Sequence, residues 1–380
     1  MSMDETAFGQ LAAEIEEWVR GTGERYAEEI ERTGEVPASL KAELRDRGYL
    51  RLAAPEEYGG LGLDFARYLE LIELFSMSHA SLRMLVHVHN GVWRSIDALA
   101  TDEQRKEFVL PQVATDISVA FTLTEPTAGT GADLRCSVTQ EGGTYYLSGE
   151  KHLITFGVQC DYWLLFARLA GTTGKDGTVA LMVPRDTPGV VVTPMSETMG
   201  VRGTDHAHLL FNSAPVPVAN RLGEVGQGLD VALGGFLTPS RISVAMTCVG
   251  LARRAQELAV AHAKERQTFG KPLAARQAIS FALAENATDI EAARQLTLHA
   301  ARQWESGDPA AGALSSMAKL NAVDMLTRVT DKALQVHGGI GYWSSSPIER
   351  VYRDARAQRF EEGTNEIQKT VIARHVLGAQ

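Results

Sequence analysis

Through its first quarter the chain repeats apolar positions at helical spacing. Leu11, Ile15, Trp18 and Val19 share one face, while Glu14, Glu16 and Glu17 take the other, as in a helix with one buried side. The pattern predicts helices from about Phe8 to Gln112, broken by turns. Residues 36–40 open a helix that the glycine at 48 stops, and the glycine-rich stretch 54–63 separates it from the next. Thr101 and Gln104 make a capping-type start for the last helix of this part, which Leu110 and Pro111 end. Near Asp116 the period changes. Residues 117–124, 144–147, 162–168, 179–183, 190–192 and 208–211 are short runs rich in β-branched and aromatic residues, punctuated by Gly and Pro. No amphipathic helix intervenes, so a compact antiparallel β-barrel or sandwich is expected. After Gly228 the helical period returns in segments 240–266, 273–306, 309–336 and 347–357, long enough and closely enough joined for an antiparallel four-helix bundle. The expected class is α+β, mostly α. It divides into an N-terminal helical domain (1–115), a middle β domain (116–225) and a C-terminal helical bundle (226–380).

Composition narrows the functions. A chain of 380 residues with 44% hydrophobic residues can bury several cores. The net charge of -10 carries no compensating basic stripe, which argues against nucleic acid as a partner. Cys136, Cys160 and Cys248 are far apart and lack metal-ligand spacing, as in a reduced intracellular protein. The first ten residues are acidic and polar, unlike a secretory or transit peptide, and no run reaches the roughly 18 apolar residues of a membrane span. A cytoplasmic protein with no membrane span is the expectation.

Four segments hold the candidate chemistry. They are Phe-Thr-Leu-Thr-Glu-Pro-Thr-Ala-Gly-Thr (121–130), Arg-Gln-Thr-Phe-Gly-Lys (266–271), Gln-Val-His-Gly-Gly-Ile-Gly-Tyr (335–342) and Arg-Phe-Glu-Glu-Gly-Thr-Asn-Glu-Ile-Gln (359–368). Singly they read as a proline turn, a basic helix end, a glycine turn and a solvated acidic helix end. In this order and spacing they resemble the acyl-CoA dehydrogenase family, and the resemblance spans nearly the whole chain.

That resemblance implies an FAD enzyme that removes two hydrogens from an acyl thioester. No glycine fingerprint of a nucleotide-binding fold is present, so the flavin site must be built otherwise. By resemblance, Phe121, Leu123 and Thr124 run along the flavin ring. Thr130 lies near the thioester arm, and Leu153, Ile154 and Thr155 flank the ring, with Thr155 near the reactive nitrogen. Arg266, Thr268 and Phe269, with Gln335, Val336, His337, Gly338 and Gly339, reach the FAD of a neighbouring subunit, coupling cofactor binding to a homotetramer. Gln277, Gly363, Thr364, Asn365 and Glu366 match further cofactor contacts, and Arg241 matches a contact to the CoA part. The chain departs from the family's pattern at Gly131, where an acid is usual, at Leu153, where Trp is common, and at Thr238, often an acid.

The reaction sets its own demands. A C–H beside a thioester carbonyl is a weak acid, so its removal needs donors on the carbonyl oxygen, a base within reach and a desolvated carboxylate. Glu362, in the matching Glu-Gly-Thr element, reads as that base rather than its neighbour Glu361. Glu361 reads as a pocket-edge residue or a recognition group for a polar acyl tail. Arg83 occupies a position that glutaryl-CoA dehydrogenases use for a distal carboxylate. It reads either as that contact or as half of an ion pair, Glu361 being one candidate partner. His87 and His89 lack a neighbouring acid or Cys, so they read as helix histidines and no metal is expected. The implied partners are an acyl-CoA, or an acyl-carrier protein, and an electron acceptor such as an electron-transfer flavoprotein. A flavin monooxygenase or oxidase, a carrier-linked dehydrogenase and a non-catalytic relative of the fold remain alternatives.

Overall fold

The computed structural model describes residues 3–127, 131 and 133–378. Five helices build most of the N-terminal part: α1 (Glu5–Trp18), α2 (Glu24–Thr33), α3 (Ala38–Asp46), α4 (Phe65–Phe75) and α5 (Ala80–Asp97). Two short ones follow, α6 (Asp102–Gln104) and α7 (Leu110–Ala114). Asp4 and Asp64 cap α1 and α4 by accepting from the backbone N–H groups of Ala7 and Arg67, each satisfying a donor that a helix start leaves free. Thr101 and Gln104 form a reciprocal capping box. Pro111 does not end the helix as the sequence implies. It sits in the first turn of α7, where its missing N–H costs nothing, and the helix runs on to Ala114.

The strands are β1 (Val119–Thr122), β2 (Ser137–Glu141), β3 (Thr144–Thr155), β4 (Tyr162–Leu169), β5 (Thr178–Pro184), β6 (Val190–Pro194), β7 (His206–Pro217) and β8 (Arg221–Leu222). They form one sheet in the order β6-β7-β3-β2-β4-β5-β8, with β1 beside β4. The expectation of a wholly antiparallel arrangement needs amending: β1 and β2 both pair with β4 in parallel. Strand β2, unmarked in the hydropathy, is Ser-Val-Thr-Gln-Glu and is mostly exposed, so no apolar alternation announces it. Along β4 the side chains alternate between two cores. Leu164 and Phe166 pack on one side with Phe108 and Ile96, while Trp163, Leu165 and Ala167 pack on the other with Phe211 and Val183.

The chain then returns to helix: α8 (Gly228–Asp230), α9 (Thr238–Glu265), α10 (Gln277–Glu305), α11 (Ala311–His337), α12 (Pro347–Ala357) and α13 (Asn365–Leu377). A two-residue hairpin, β9 (Gln267–Thr268) with β10 (Lys271–Pro272), joins α9 to α10. Ala245, Ala252, Ala255, Ala259 and Ala263 are buried along α9, which lets neighbouring helices approach closely. A single core joins this bundle to α1, α4 and the start of α5. The start of α9, the buried face of α5 and the α12–α13 connection therefore meet. That meeting place holds the candidate site.

Candidate active site

Glu362 lies in the connection between α12 and α13 with φ at 54°, left-handed backbone that is sterically costly for any residue with a Cβ. The surroundings hold it there. Its carbonyl accepts from Arg241 Nε at 3.2 Å and from Gln368 Nε2 at 3.0 Å. The next carbonyl, on Gly363, accepts from Gln368 and from the buried ammonium of Lys319 on α11. Its carboxylate Oε1 accepts from the Ser240 hydroxyl at 2.8 Å, and Ser240 Oγ lies 2.8 Å from His87 Nε2.

The two adjacent carboxylates are drawn apart. Glu361 turns to Arg83, whose Nη2 reaches its oxygens at 3.0 and 3.2 Å and Gln358 Oε1 at 3.0 Å. Gln358 Nε2 donates to Glu361 as well. Arg83 is fully buried, so this pairing offsets the cost of desolvating a guanidinium. Glu362 has only a neutral hydroxyl on its carboxylate. Burial, although the residue is half-exposed at the surface of the lone chain, pushes its pKa up to about 7. The Ser240 bond opposes that rise, Glu361 adds to it, and Arg241 and Lys319 oppose it. The result is a carboxylate poised near neutrality.

The remaining predicted positions separate into two groups. In the first, Phe121 is half-buried and stacks at 4.5 Å on Phe236, which precedes Ser240 in the chain. Leu123 is buried and its carbonyl accepts from Lys151. Thr124 accepts at its carbonyl from the His152 N–H, and Ile154 is in the β-domain core, paired with Ala207 on β7 and accepting at its carbonyl from the Gly157 N–H. Leu153 is 54% exposed with φ at 57°, and Thr155 pairs with His206 at the end of β3. Thr130 lies outside the described residues. Arg241 is 8% exposed and its Nε is committed to Glu362, so its first service is to the loop of Glu362. Thr364 precedes α13, with Asn365 and Glu366 in its first turn. The buried Asn365 Oδ1 has no partner among the described residues.

The second group sits at the opposite ends of the long helices. Arg266 ends α9, roughly 39 Å along the axis from Ser240 at 1.5 Å per residue. His262 stacks on His337 at 4.6 Å, bringing the 266–269 and 335–339 segments together. Phe269 is 98% exposed with φ at 48°. Arg266, Gln277 and Gln335 are exposed too, Thr268 is half-buried and Val336 is buried. A Cβ added at Gly338 or Gly339 would meet nothing in the chain. One chain thus does not bring this group to Glu362.

Several functional neighbours escape sequence reading: Ser240, Lys319, Gln358 and Gln368, and His87 in its contact to Ser240. Their only signals are local, as Ser240 precedes Arg241 and His87 follows Arg83 by one helical turn. His89 points elsewhere on α5, and burial pushes it down to about 4. No group of three or more His, Cys, Asp or Glu among the described residues could hold a metal ion.

Family models describe the same three parts. The acyl-CoA dehydrogenase N-terminal domain matches residues 8–116, the middle domain 120–214 and the C-terminal domain 226–377. The chain belongs to the acyl-CoA dehydrogenase family, whose members are FAD-dependent oxidoreductases. It is 38% identical over 354 residues to an acyl-CoA dehydrogenase of Bacillus subtilis, covering 93% of each chain. Its fold matches butyryl-CoA dehydrogenase from Megasphaera elsdenii with a TM-score of 0.93 and 32% identity, over 99% of this chain and 100% of that one. A chain in a structure concerning the electron transferring flavoprotein of Acidaminococcus fermentans matches with a TM-score of 0.92 and 32% identity, over 99% and 100%.

Proposed function

We propose that this protein is an FAD-dependent dehydrogenase of short acyl-CoA thioesters, with Glu362 as the base that removes the α-proton. The observation that carries this reading is the contrast between neighbours. Glu361 is neutralised by Arg83 at 3.0 Å, while Glu362 is left with a hydroxyl contact and a pKa raised to about 7. A base so tuned is mostly ionised just above neutrality and still strong enough to hold the proton it takes. The backbone N–H of Glu362 is the donor we assign to the thioester oxygen. The loop that carries it is held by Arg241 and Gln368, which donate to the Glu362 carbonyl. That charge-stabilising contact lowers the cost of the enolate-like transition state.

The residues of this chain fit FAD. Leu153 offers an exposed flat-ring contact beside the Thr155 hydroxyl, and the exposed Phe269 beside Arg266 suits an adenine and a pyrophosphate on another subunit. The chemistry supplied by bound FAD is acceptance of the β-hydrogen as hydride, so that the α-proton on Glu362 and that hydride together account for the two hydrogens lost. Because the second group of residues lies far from Glu362 in one chain, we assign it to the cofactor of a neighbouring subunit in a homotetramer. The hydrogen-bonded cluster of Arg83, Gln358 and Glu361 beside Glu362 supports the reading that the acyl chain is short. The electron acceptor we infer is an electron-transfer flavoprotein, and the buried unpaired cysteines suit the cytoplasm.

Anaerobic absorbance scans of the purified protein against acyl-CoAs of graded length test this. Bleaching of the flavin band is expected with short thioesters and should weaken with longer ones. Glu362→Gln should keep its yellow colour but reduce roughly 10²- to 10⁴-fold more slowly, the usual contribution of a positioned base. Unslowed reduction in that variant would move the base elsewhere.

A further inference from the structure

Behind the carboxylate of Glu362 lies a line of buried polar groups that the dehydrogenation scheme does not use. Ser240 is 2% exposed and His87 3%. The Ser240 hydroxyl has one proton, and it donates that proton to Glu362 Oε1 at 2.8 Å. The 2.8 Å contact from Ser240 Oγ to His87 Nε2 must then have the imidazole as donor. This fixes the tautomer. His87 carries its proton on Nε2, and Nδ1 is an acceptor. That Nδ1 has no partner among the described residues, and neither has the buried hydroxyl of Tyr68 on α4. Both residues line one small cavity of about 10 Å³, whose walls also include Arg94 and Ser243 and the apolar Phe65, Phe236 and Pro239. That is room for a single water, which needs two or more polar partners to be held.

We propose that His87 and Ser240 are positioning residues for the base: with one water held between His87 Nδ1 and the Tyr68 hydroxyl, they form a directional hydrogen-bond line that orients the Glu362 carboxylate and stabilises its ionised form. The proposal rests on the reading of Glu362 as the base and deepens it. While Glu362 is ionised, every bond in the line points toward it: Tyr68 to water, water to His87, His87 to Ser240, Ser240 to the carboxylate. Each donor is polarised by the next, so the line strengthens the final bond beyond what an isolated serine supplies. The line also leaves Oε2 free for the substrate's α-proton. His87 serves because it stays neutral: burial pushes its pKa well down, and the nearby Arg83 and Arg94 add to this. A charged imidazolium would lose the acceptor at Nδ1. The other charged groups facing Glu362 are Glu361 beside it, Arg241 on α9 and Lys319 on α11, and none of them enters the line.

The test reads the protonation of Glu362 directly rather than through turnover. In the holoenzyme without substrate, the infrared band of the protonated Glu362 carboxyl is followed against pH and assigned by its loss in Glu362→Gln. Ser240→Ala should raise the midpoint by about one pH unit, the worth of one charge-assisted bond. His87→Leu should raise it by less, and Ser240→Thr and His87→Gln, which keep the hydroxyl and an N–H donor, should restore it. Flavin reduction should shift its pH limb in the same direction and order. Unchanged midpoints in Ser240→Ala and His87→Leu would overturn the proposal, even with Glu362 intact as the base. Normal flavin reduction in Glu362→Gln would instead overturn the functional reading itself. Should Ser240→Ala fail to fold, ¹⁵N-histidine labelling of the unaltered protein decides. A proton on His87 Nε2 above the titration of Glu362 supports the line, and a proton on Nδ1 there excludes it.

Discussion

Glu361 and Glu362 are identical side chains on neighbouring residues, yet their environments make them opposites. Glu361 is held as a partner for a fully buried guanidinium, whereas Glu362 is desolvated and raised to about 7. Arg83 decides the first of these. Replacing it by Met removes one member of a buried pair, leaving the Glu361 carboxylate without its counter-charge and Gln358 Oε1 without its donor. The expected cost is about 3–5 kcal/mol of stability, read as a lower denaturant midpoint. Arg83→Met combined with Glu361→Gln should recover part of it, because the orphaned charge is then gone. If Arg83 instead served the tail of the substrate, the single variant would unfold normally and lose only selectivity between acyl chains.

At the scale of the elements, the site depends on how closely α9 crosses its neighbours. Gly250 on α9 is the tightest point: an added Cβ would come within 2.2 Å of the Glu73 carbonyl on α4. Gly250→Ala must push the two helices apart, and the expected cost is about 1–3 kcal/mol. Ser240 and Arg241 lie on the same helix, so the variant should also disturb Glu362; a thermal melt and a flavin-reduction rate would report both. A second tie joins α2 to α5 and α12. Glu31 accepts from His79 Nε2 at 3.1 Å and Arg353 Nη2 at 2.7 Å. Burial alone would raise the carboxyl, but these two bonds outweigh it and hold the pKa at about 2. A carboxyl depressed below its ordinary 4.5 stabilises the fold above that pH, and the contribution is lost as pH falls from there toward 2. Melting temperatures across that window should drop, and Glu31→Gln should flatten the drop and cost on the order of 2 kcal/mol at neutral pH.

For the whole molecule, the far end of the bundle carries the unfinished business of a single chain. Phe269 is 98% exposed, and Ile340, Tyr342 and Trp343 are exposed close by in sequence to the 335–339 turn. Large apolar side chains displayed together mark a surface that meets something else. On the reading given above it meets the cofactor and body of another subunit. Phe269→Ala should therefore leave the chain's own fold unchanged while weakening FAD retention roughly 3- to 10-fold, the range of one lost aromatic contact. Flavin absorbance after gel filtration and sedimentation of the eluted protein measure that outcome.

Much of this was legible along the chain, because it depends on local periodicity and on short segments whose residues act together. The alternation of helix, strand and helix follows from apolar spacing, and the Glu-Gly-Thr element, by resemblance, marks Glu362 as the acid proposed as base. The polar strand β2 and the parallel pairing of β1 and β2 with β4 were not legible, since pairing partners are chosen by sheet closure and not by the strand's own pattern. The same holds for the site's inner shell. His87, Ser240, Lys319 and Glu362 come from α5, α9, α11 and the α12–α13 connection, up to 275 positions apart in number, and nothing in any one segment announces the others. The sequence by itself determined the kinds of element and their order, and it singled out the adjacent acids of which we propose Glu362 as the base. Only the tertiary structure decided which of two adjacent carboxylates is neutralised and which is desolvated, because burial and hydrogen-bond partners are properties of packed elements.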